Sequence, residues 1–290
     1  MIIGISGEIN SGKDTVGKMI QYLTCDDVVK KQYTWQDRLK IGTTANWSDW
    51  QIKKFADKLK EIVCLLIGCT REQLEDREFK EKELGEEWWY ISKPEIGMLM
   101  PYTEDNWAAH GDFEENLVML TPRKLLQLLG TECGREIIHP NIWVNVLFAD
   151  YEPIGGKMIA NPQPKHLIYP NWIITDVRFP NEAEAIKDRC GIVIRVNRIE
   201  KGKFYTVQDK NTKEIFKARA DVDYRSYDDV ILRCENNFVH RLPDYNVLHD
   251  NEHPSETALD DYEFDHVINN DGSLDELLDK VKQILENEQL

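Results

Sequence analysis

The sequence predicts an α/β protein built around a parallel sheet, and three features of the 290 residues point to it. Short apolar runs at 1–6, 172–176, 191–196 and 266–268 have the length and composition of buried strands. Helical patterns lie between and after them, so strand, helix and strand follow one another as in a right-handed parallel crossover. The first of these strands runs straight into a glycine turn and then a helix.

That turn is Gly7-Glu8-Ile9-Asn10-Ser11-Gly12-Lys13, which reads G-x-x-x-x-G-K. With a strand before it and the apolar-spaced helix 16–23 after it, it has the context of a phosphate-binding loop. Glycines permit the tight turn, main-chain N–H groups and the helix N-terminus cradle anionic oxygens, and Lys13 reaches the β/γ-phosphates. The residue after the lysine is Asp14, where a hydroxyl is usual, and Thr15 follows. Asp14 reads either as a hard-oxygen ligand for Mg²⁺ or as a helix N-cap.

Further along, 26–49 is polar and reads as irregular, 51–56 as a strand, and 57–67 as an amphipathic helix. Thr70 caps a short helix. The scattered Gly, Pro and Trp of 81–113 suggest a long irregular excursion, and Thr121-Pro122 opens a helix with Pro in its first turn. A helix over 143–149 leads into a Gly/Pro-rich loop, 152–170. Strand 172–176, helix 181–189 and strand 191–196 make the crossover. Residues 201–243 alternate in polarity and read as an inserted hairpin or flap turning at Lys210-Asn211. After strand 266–268, Ser273 and Glu276 form a capping box, and Leu274, Leu277, Leu278, Val281 and Leu285 form the stripe of a last helix. The expected organisation is one domain over 1–290, with a helical region at 51–150 and an inserted segment at 199–248.

A net charge of −16 disfavours a sequence-independent grip on a nucleic-acid polymer, which needs a basic face. The longest apolar run, 62–67, is too short to span a bilayer, and no signal peptide is read at the N-terminus. The six cysteines form no C-x-x-C pair and read as free thiols of a reducing cytoplasm. No Cys/His spacing suggests zinc, and His139 and His253, each before Pro, read as turn residues.

Asp176 ends an apolar strand, where an acid holds Mg²⁺ or its water, or else caps the next turn. Arg178 is placed to neutralise a transferring phosphoryl group, or else to pair with Glu182 or Glu184. Arg123 and Arg135, with Lys60 and Lys80, are candidate grips for an acceptor phosphate. Arg195 and Arg198 lead into the inserted segment.

These stretches resemble the deoxynucleoside monophosphate kinases of bacteriophages and, more distantly, phosphomevalonate kinase. The matching segments are 11–15 (Ser-Gly-Lys-Asp-Thr), 55–61, 76–81, 121–127, 130–135, 139–143, 175–182 (Thr-Asp-Val-Arg-Phe-Pro-Asn-Glu), 253–256 and 267–272. Ser-Gly-Lys-Asp is that family's own form of the loop. The resemblance implies a nucleoside-monophosphate-kinase-like P-loop sheet flanked by helices, with an inserted lid or flap. It implies Lys13 and Arg178 as catalytic residues and Lys60 as the family's lysine after the second strand. Gly7, Asn10, Ser11, Gly12, Lys13, Asp14, Thr15 and Arg198 are then expected at ATP; Asp14, Thr15 and Asp176 at Mg²⁺; and Lys60, Lys80, Arg123 and Arg135 at a deoxynucleoside monophosphate. Expected partners are ATP and dNMP, with no polymer or membrane, and a homodimer is compatible. Expected localisation is cytoplasmic, that of the host for a phage-encoded chain. Two other readings share the loop: a kinase of another small phosphorylated acceptor, and a nucleotide-regulated ATPase or binding protein.

Overall fold

A computed structural model describes residues 1–290 except 9, 41–47, 95–96, 111–115, 155–166, 199–203, 210–214, 222–230, 234–238, 242–244 and 249–257. The expected turns at Lys210-Asn211 and His253 lie outside the described residues. The chain forms two compact units, 1–54 with 148–290 and 55–147.

The first unit holds a wholly parallel five-stranded sheet: β1 (Ile2–Gly7), β2 (Trp50–Lys53), β6 (Asn171–Val177), β7 (Ile192–Asn197) and β13 (His266–Asn269). Their order is β13-β7-β1-β6-β2, so the loop-bearing strand is central. Ile3 and Ile5 of β1 are sealed in one core with α1 (Lys13–Leu23) and the last helix, α11 (Leu274–Asn287). Gly4, pointing the other way by the two-residue period, leaves room for Ile186 of α10 (Pro180–Lys187); a Cβ there would lie 2.6 Å from the Ile186 Cδ1. Helices therefore cover both faces, as the fold class requires. Gly17 brings α1 onto the sheet, because a Cβ at that position would lie 2.6 Å from Thr175 Cγ2.

The stretch 26–49, expected irregular, contains α2 (Asp27–Gln32) and α3 (Trp35–Lys40). Both have six residues, too few to persist alone, and α3 is held by packing: its buried Trp35 joins the α1 core. A reciprocal cap starts α3, with Asp37 accepting from the Thr34 N–H at 2.8 Å and the Thr34 hydroxyl accepting from the Asp37 N–H. On α11 the capping box of Ser273 and Glu276 is present, but the buried stripe begins at Leu277, leaving Leu274 48% exposed.

The insertion forms a second sheet, fully antiparallel: β8 (Phe204–Asp209), β9 (Ile215–Asp221), β10 (Ile231–Arg233), β11 (Val239–Arg241) and β12 (Tyr245–Leu248), ordered β11-β10-β9-β8-β12. The expected hairpin is its β8–β9 pair, with Val207 opposite Phe216.

The second unit contains α4 (Asp57–Ile67), α5 (Arg71–Glu75), α6 (Arg77–Glu81), α7 (Glu104–His110) and α8 (Pro122–Gln127). Thr70 and Gln73 form a capping box, and Thr121 caps α8 with Pro122 in its first turn. An 11-residue π-helix, Leu128–Ile138, continues α8, and α9 (Ile142–Phe148) follows it in the chain. The stretch 81–113 is more regular than expected. It carries β3 (Tyr90–Lys93), β4 (Met98–Pro101) and α7, and β3 is the middle strand of an antiparallel sheet completed by β5 (Leu117–Val118). Ile91 is fully buried on β3, and Trp89 meets Tyr102 edge-on at 5.6 Å. Gly and Pro punctuate strands of only two to four residues here, so no alternating pattern is long enough to stand out.

Candidate active site

The glycine loop leaves the carboxyl end of β1, where ligands lie in open parallel sheets. Gly7 closes that strand, and Asn10 adopts a left-handed backbone at φ 67°. Gly12 does the same at φ 99° as the N-cap of α1, and its carbonyl accepts from the Val16 N–H at 2.9 Å. Asn270 clamps the loop by donating its Nδ2 to the Ser11 carbonyl at 2.8 Å, and any Cβ on Gly12 would lie 2.6 Å from that nitrogen. The Ser11 hydroxyl is buried without a hydrogen-bond partner among the described residues. Asn10, Gly12, Lys13, Asp14, Thr15 and Arg198 line a cleft of about 410 Å³, and Arg198 Nη1 donates to the Asn10 carbonyl at 3.4 Å.

Lys13 folds back to donate Nζ to the Glu8 carbonyl at 2.9 Å. Burial, then the positive charge of Arg178, pull its pKa down to about 8, against the opposing charges of Asp14 and Asp176. The charges of Asp14, Asp176 and Arg178 thus all act on Lys13. Asp176 lies on β6 and Arg178 directly follows it. Glu182, the alternative partner of Arg178, accepts main-chain N–H bonds from Arg178 at 2.8 Å and Phe179 at 3.2 Å.

Asp14 does not cap α1; the cap position belongs to Gly12 and makes no side-chain bond. Instead Asp14 Oδ1 accepts from the Thr175 hydroxyl at 2.8 Å and meets Lys54 Nζ at 2.7 Å. Burial pushes its carboxyl up, but the charge and hydrogen bond of Lys54, with Thr175 and Lys13, outweigh that and hold it below the usual carboxylate range. An ionised Asp14 and the Thr15 hydroxyl in one cleft are hard-oxygen donors that fit Mg²⁺. Among the described residues no three His, Cys, Asp or Glu side chains converge as a metal cage, so such an ion needs oxygens from phosphates as well.

In the second unit Lys60, Lys80 and Arg123 come together. Glu75 meets Lys60 at 2.7 Å, Arg71 at 2.9 Å and Lys80 at 3.8 Å. Arg71 also pairs with Asp57 at 2.7 Å, and Arg123 pairs with Glu81. Partial burial raises the Glu75 pKa, but hydrogen bonds and charge from Lys60 and Arg71 outweigh this and hold it at about 2. Lys80 is lowered by burial and by the charges of Lys60, Arg123 and Arg71, against the pull of Glu75. Arg135, on the π-helix, donates Nη1 to the Gly130 carbonyl at 2.5 Å, which Trp143 Nε1 also reaches at 2.7 Å. Arg195 is held on β7 by the Ser6 hydroxyl at 3.3 Å, Asp260 at 3.5 Å and the Phe264 ring.

Four contributors went unassigned in the sequence. Thr175 and Asn270 lie inside segments that carry the family resemblance, so a signal for them existed. Lys54 had none, being one basic residue in a charged stretch; for Arg71 the i,i+4 spacing to Glu75 is visible along the helix, but its other partner, Asp57, is shown only by the fold.

A parallel sheet with a glycine–lysine loop at the end of its central strand, covered by helices on both faces, defines an α/β P-loop kinase-like fold. No family model matches the chain. It is 27% identical over 223 residues to deoxynucleoside-5'-monophosphate kinase of Escherichia phage T5, covering 65% of this chain and 72% of that protein. It is 34% identical over 85 residues to an Acanthamoeba polyphaga mimivirus protein provisionally named a deoxynucleotide monophosphate kinase, covering 27% of this chain and 39% of that protein. These relatives bear out the resemblance to viral deoxynucleoside monophosphate kinases read from the sequence. Among the described residues no helix is long and apolar enough to cross a membrane.

Proposed function

We propose that the chain transfers the γ-phosphoryl group of ATP to a deoxynucleoside 5'-monophosphate. The observation that carries this reading is the loop cleft, where Lys13, Asp14 and Thr15 line a cavity beside main chain shaped for phosphate at the end of the central strand. The names of the two viral relatives support the acceptor class.

In this reading an oxygen of the acceptor phosphate attacks the γ-phosphorus, and the bond to the β–γ bridging oxygen breaks, giving dNDP and ADP. No covalent intermediate is needed; positioning and charge carry the catalysis. Lys13 leaves the Glu8 carbonyl to donate to β/γ oxygens, and Arg178 neutralises charge on the equatorial oxygens. Asn10, Ser11, Gly12 and Thr15 hold the donor phosphates, with Arg198 over them. Mg²⁺, held by Asp14, Thr15 and Asp176 together with the phosphates, would screen the charge that otherwise repels the acceptor. Lys60, Lys80, Arg123 and Arg135 grip the acceptor phosphate. Residues 199–248, which leave β7 next to Arg198, act as the lid over the donor.

The test is a coupled assay of ADP release with each dNMP as acceptor. Release that depends strictly on an added dNMP, and is abolished in Lys13→Ala with unchanged circular dichroism, supports the kinase. Acceptor-independent hydrolysis, or full activity of Lys13→Ala, refutes it.

A further inference from the structure

Lys54 follows β2, which among the described residues is an edge strand paired with β6. The register sets Lys53 beside Ile174, so the next residue along β2 comes level with Thr175. That is the threonine whose hydroxyl donates to Asp14 Oδ1, and Lys54 Nζ meets the same oxygen at 2.7 Å. One carboxylate oxygen of the loop is thus held from two sides, by a hydroxyl and by an ammonium. The Lys54 charge also reaches Lys13, so it belongs to the electrostatics of the cleft. A surface ion pair far from any site adds little to stability, whereas this one sits on an acid in the path of incoming phosphates. Asp14 without a cation would repel those phosphates.

We propose that Lys54 is a positioning residue for Asp14: its ammonium neutralises and orients the loop carboxylate until a divalent cation takes over that charge. This rests on the reading of the loop as a nucleotide site. Two consequences follow from Coulomb's law. With Lys54 present, nucleotide enters the cleft without metal. With Lys54 removed, Asp14 is exposed to the phosphates, and binding depends more steeply on Mg²⁺.

The experiment measures ADP affinity calorimetrically, in EDTA and in saturating Mg²⁺, for wild type, Lys54→Met, Lys54→Arg, Asp14→Asn and Asp14→Asn with Lys54→Met. The quantity read is the factor by which Mg²⁺ tightens ADP. Lys54→Met is expected to weaken metal-free binding and raise that factor by about tenfold, the scale of one lost charge-assisted contact. Lys54→Arg, which keeps the charge, stays near wild type. In the Asp14→Asn background, Lys54→Met changes the factor by less than about twofold, since the carboxylate it serves is gone. An unchanged factor in Lys54→Met overturns the proposal, as does an equal effect of Lys54→Met with and without Asp14. Should Lys54→Met fail the circular-dichroism check, Lys54→Gln takes its place. Absence of ADP binding to wild type overturns the nucleotide-loop reading and this proposal with it; ADP binding with an unchanged factor overturns this proposal alone.

Discussion

Raising the pH through 8 is expected to weaken ADP binding, because Lys13 then gives up its proton. Its pKa is held at about 8 by burial and by Arg178, while a free lysine titrates near 10.5. In the nucleotide-free protein the protonated fraction falls from about 0.76 at pH 7.5 to about 0.03 at pH 9.5, by simple titration about pKa 8. Polyphosphate beside Nζ favours the charged form, so binding above pH 8 takes up a proton and affinity falls roughly 25-fold over that interval. Calorimetry of ADP binding at pH 8.5, repeated in buffers of different ionisation enthalpy, is expected to show uptake of about 0.8 proton per ADP. Lys13→Arg, whose side chain stays charged, flattens the pH dependence. For stability the sign is opposite: the nucleotide-free fold gains as pH rises. A lysine whose folded pKa lies below its unfolded one destabilises the fold while both forms are charged, and that penalty is relieved as pH rises from 8 towards 10.5. Lys13→Met should therefore stabilise the nucleotide-free protein at pH 7, by up to roughly 3 kcal/mol for a shift of that size. Flat affinity from pH 7.5 to 9.5, with no proton uptake, would refute the depressed lysine and its place beside Arg178.

Gly12→Ala is expected to abolish ADP binding detectable at millimolar nucleotide, because its φ of 99° and the nearby Asn270 nitrogen both reject a Cβ; normal affinity would show that the loop yields. Lys60→Ala and Arg123→Ala should each lower kcat/KM for the dNMP by about tenfold or more while the KM for ATP stays nearly fixed, and loss of ATP binding instead would assign these cations to the donor. Ser273→Ala removes the cap of α11 and should cost about 1 kcal/mol in urea unfolding without changing the ADP Kd.

The strands and helices that place the loop were legible in the sequence because each has a strong local signal. β1, β6 and β7 are runs of isoleucine, valine and tryptophan too apolar for anything but a sheet covered on both faces, and Ser273 with Glu276 announces α11. What escaped depends on distant residues. Trp35 makes α3 a helix only by entering the α1 core. The strands between 90 and 118 are short and broken by Gly and Pro, and they exist because β3 buries Ile91 between two neighbours. The same division holds at the site. Gly12, Lys13 and Asp14 are read from spacing along a few residues. Lys54 and Arg71 matter through carboxylates contributed by other elements, Asp14 on α1 for one and Asp57 on α4 for the other.

In the proposed reading, partnerships of this kind let a chain with 52 acidic and 36 basic residues accept polyanionic substrates. Cations assigned to phosphates already hold an internal oxygen: Lys13 the Glu8 carbonyl, Lys60 and Lys80 the Glu75 carboxylate, and Arg123 that of Glu81. A lone buried cation costs several kcal/mol of lost hydration, and an internal oxygen lowers that cost while fixing the side chain. A phosphate must then exchange for the internal oxygen, so net affinity is the difference between two ion pairs and not the strength of one. It follows that Glu75→Gln should not act as a simple loss. Lys60 and Lys80 would lose a competitor for the acceptor phosphate and also the group that orients them, so the acceptor KM falls if competition dominates and rises if orientation does. With Glu75 titrating at about 2, its carboxylate is ionised throughout the working pH range. Glu75 and the donor cleft therefore answer differently to alkali: the cleft through Lys13 near pH 8, the Glu75 carboxylate not at all.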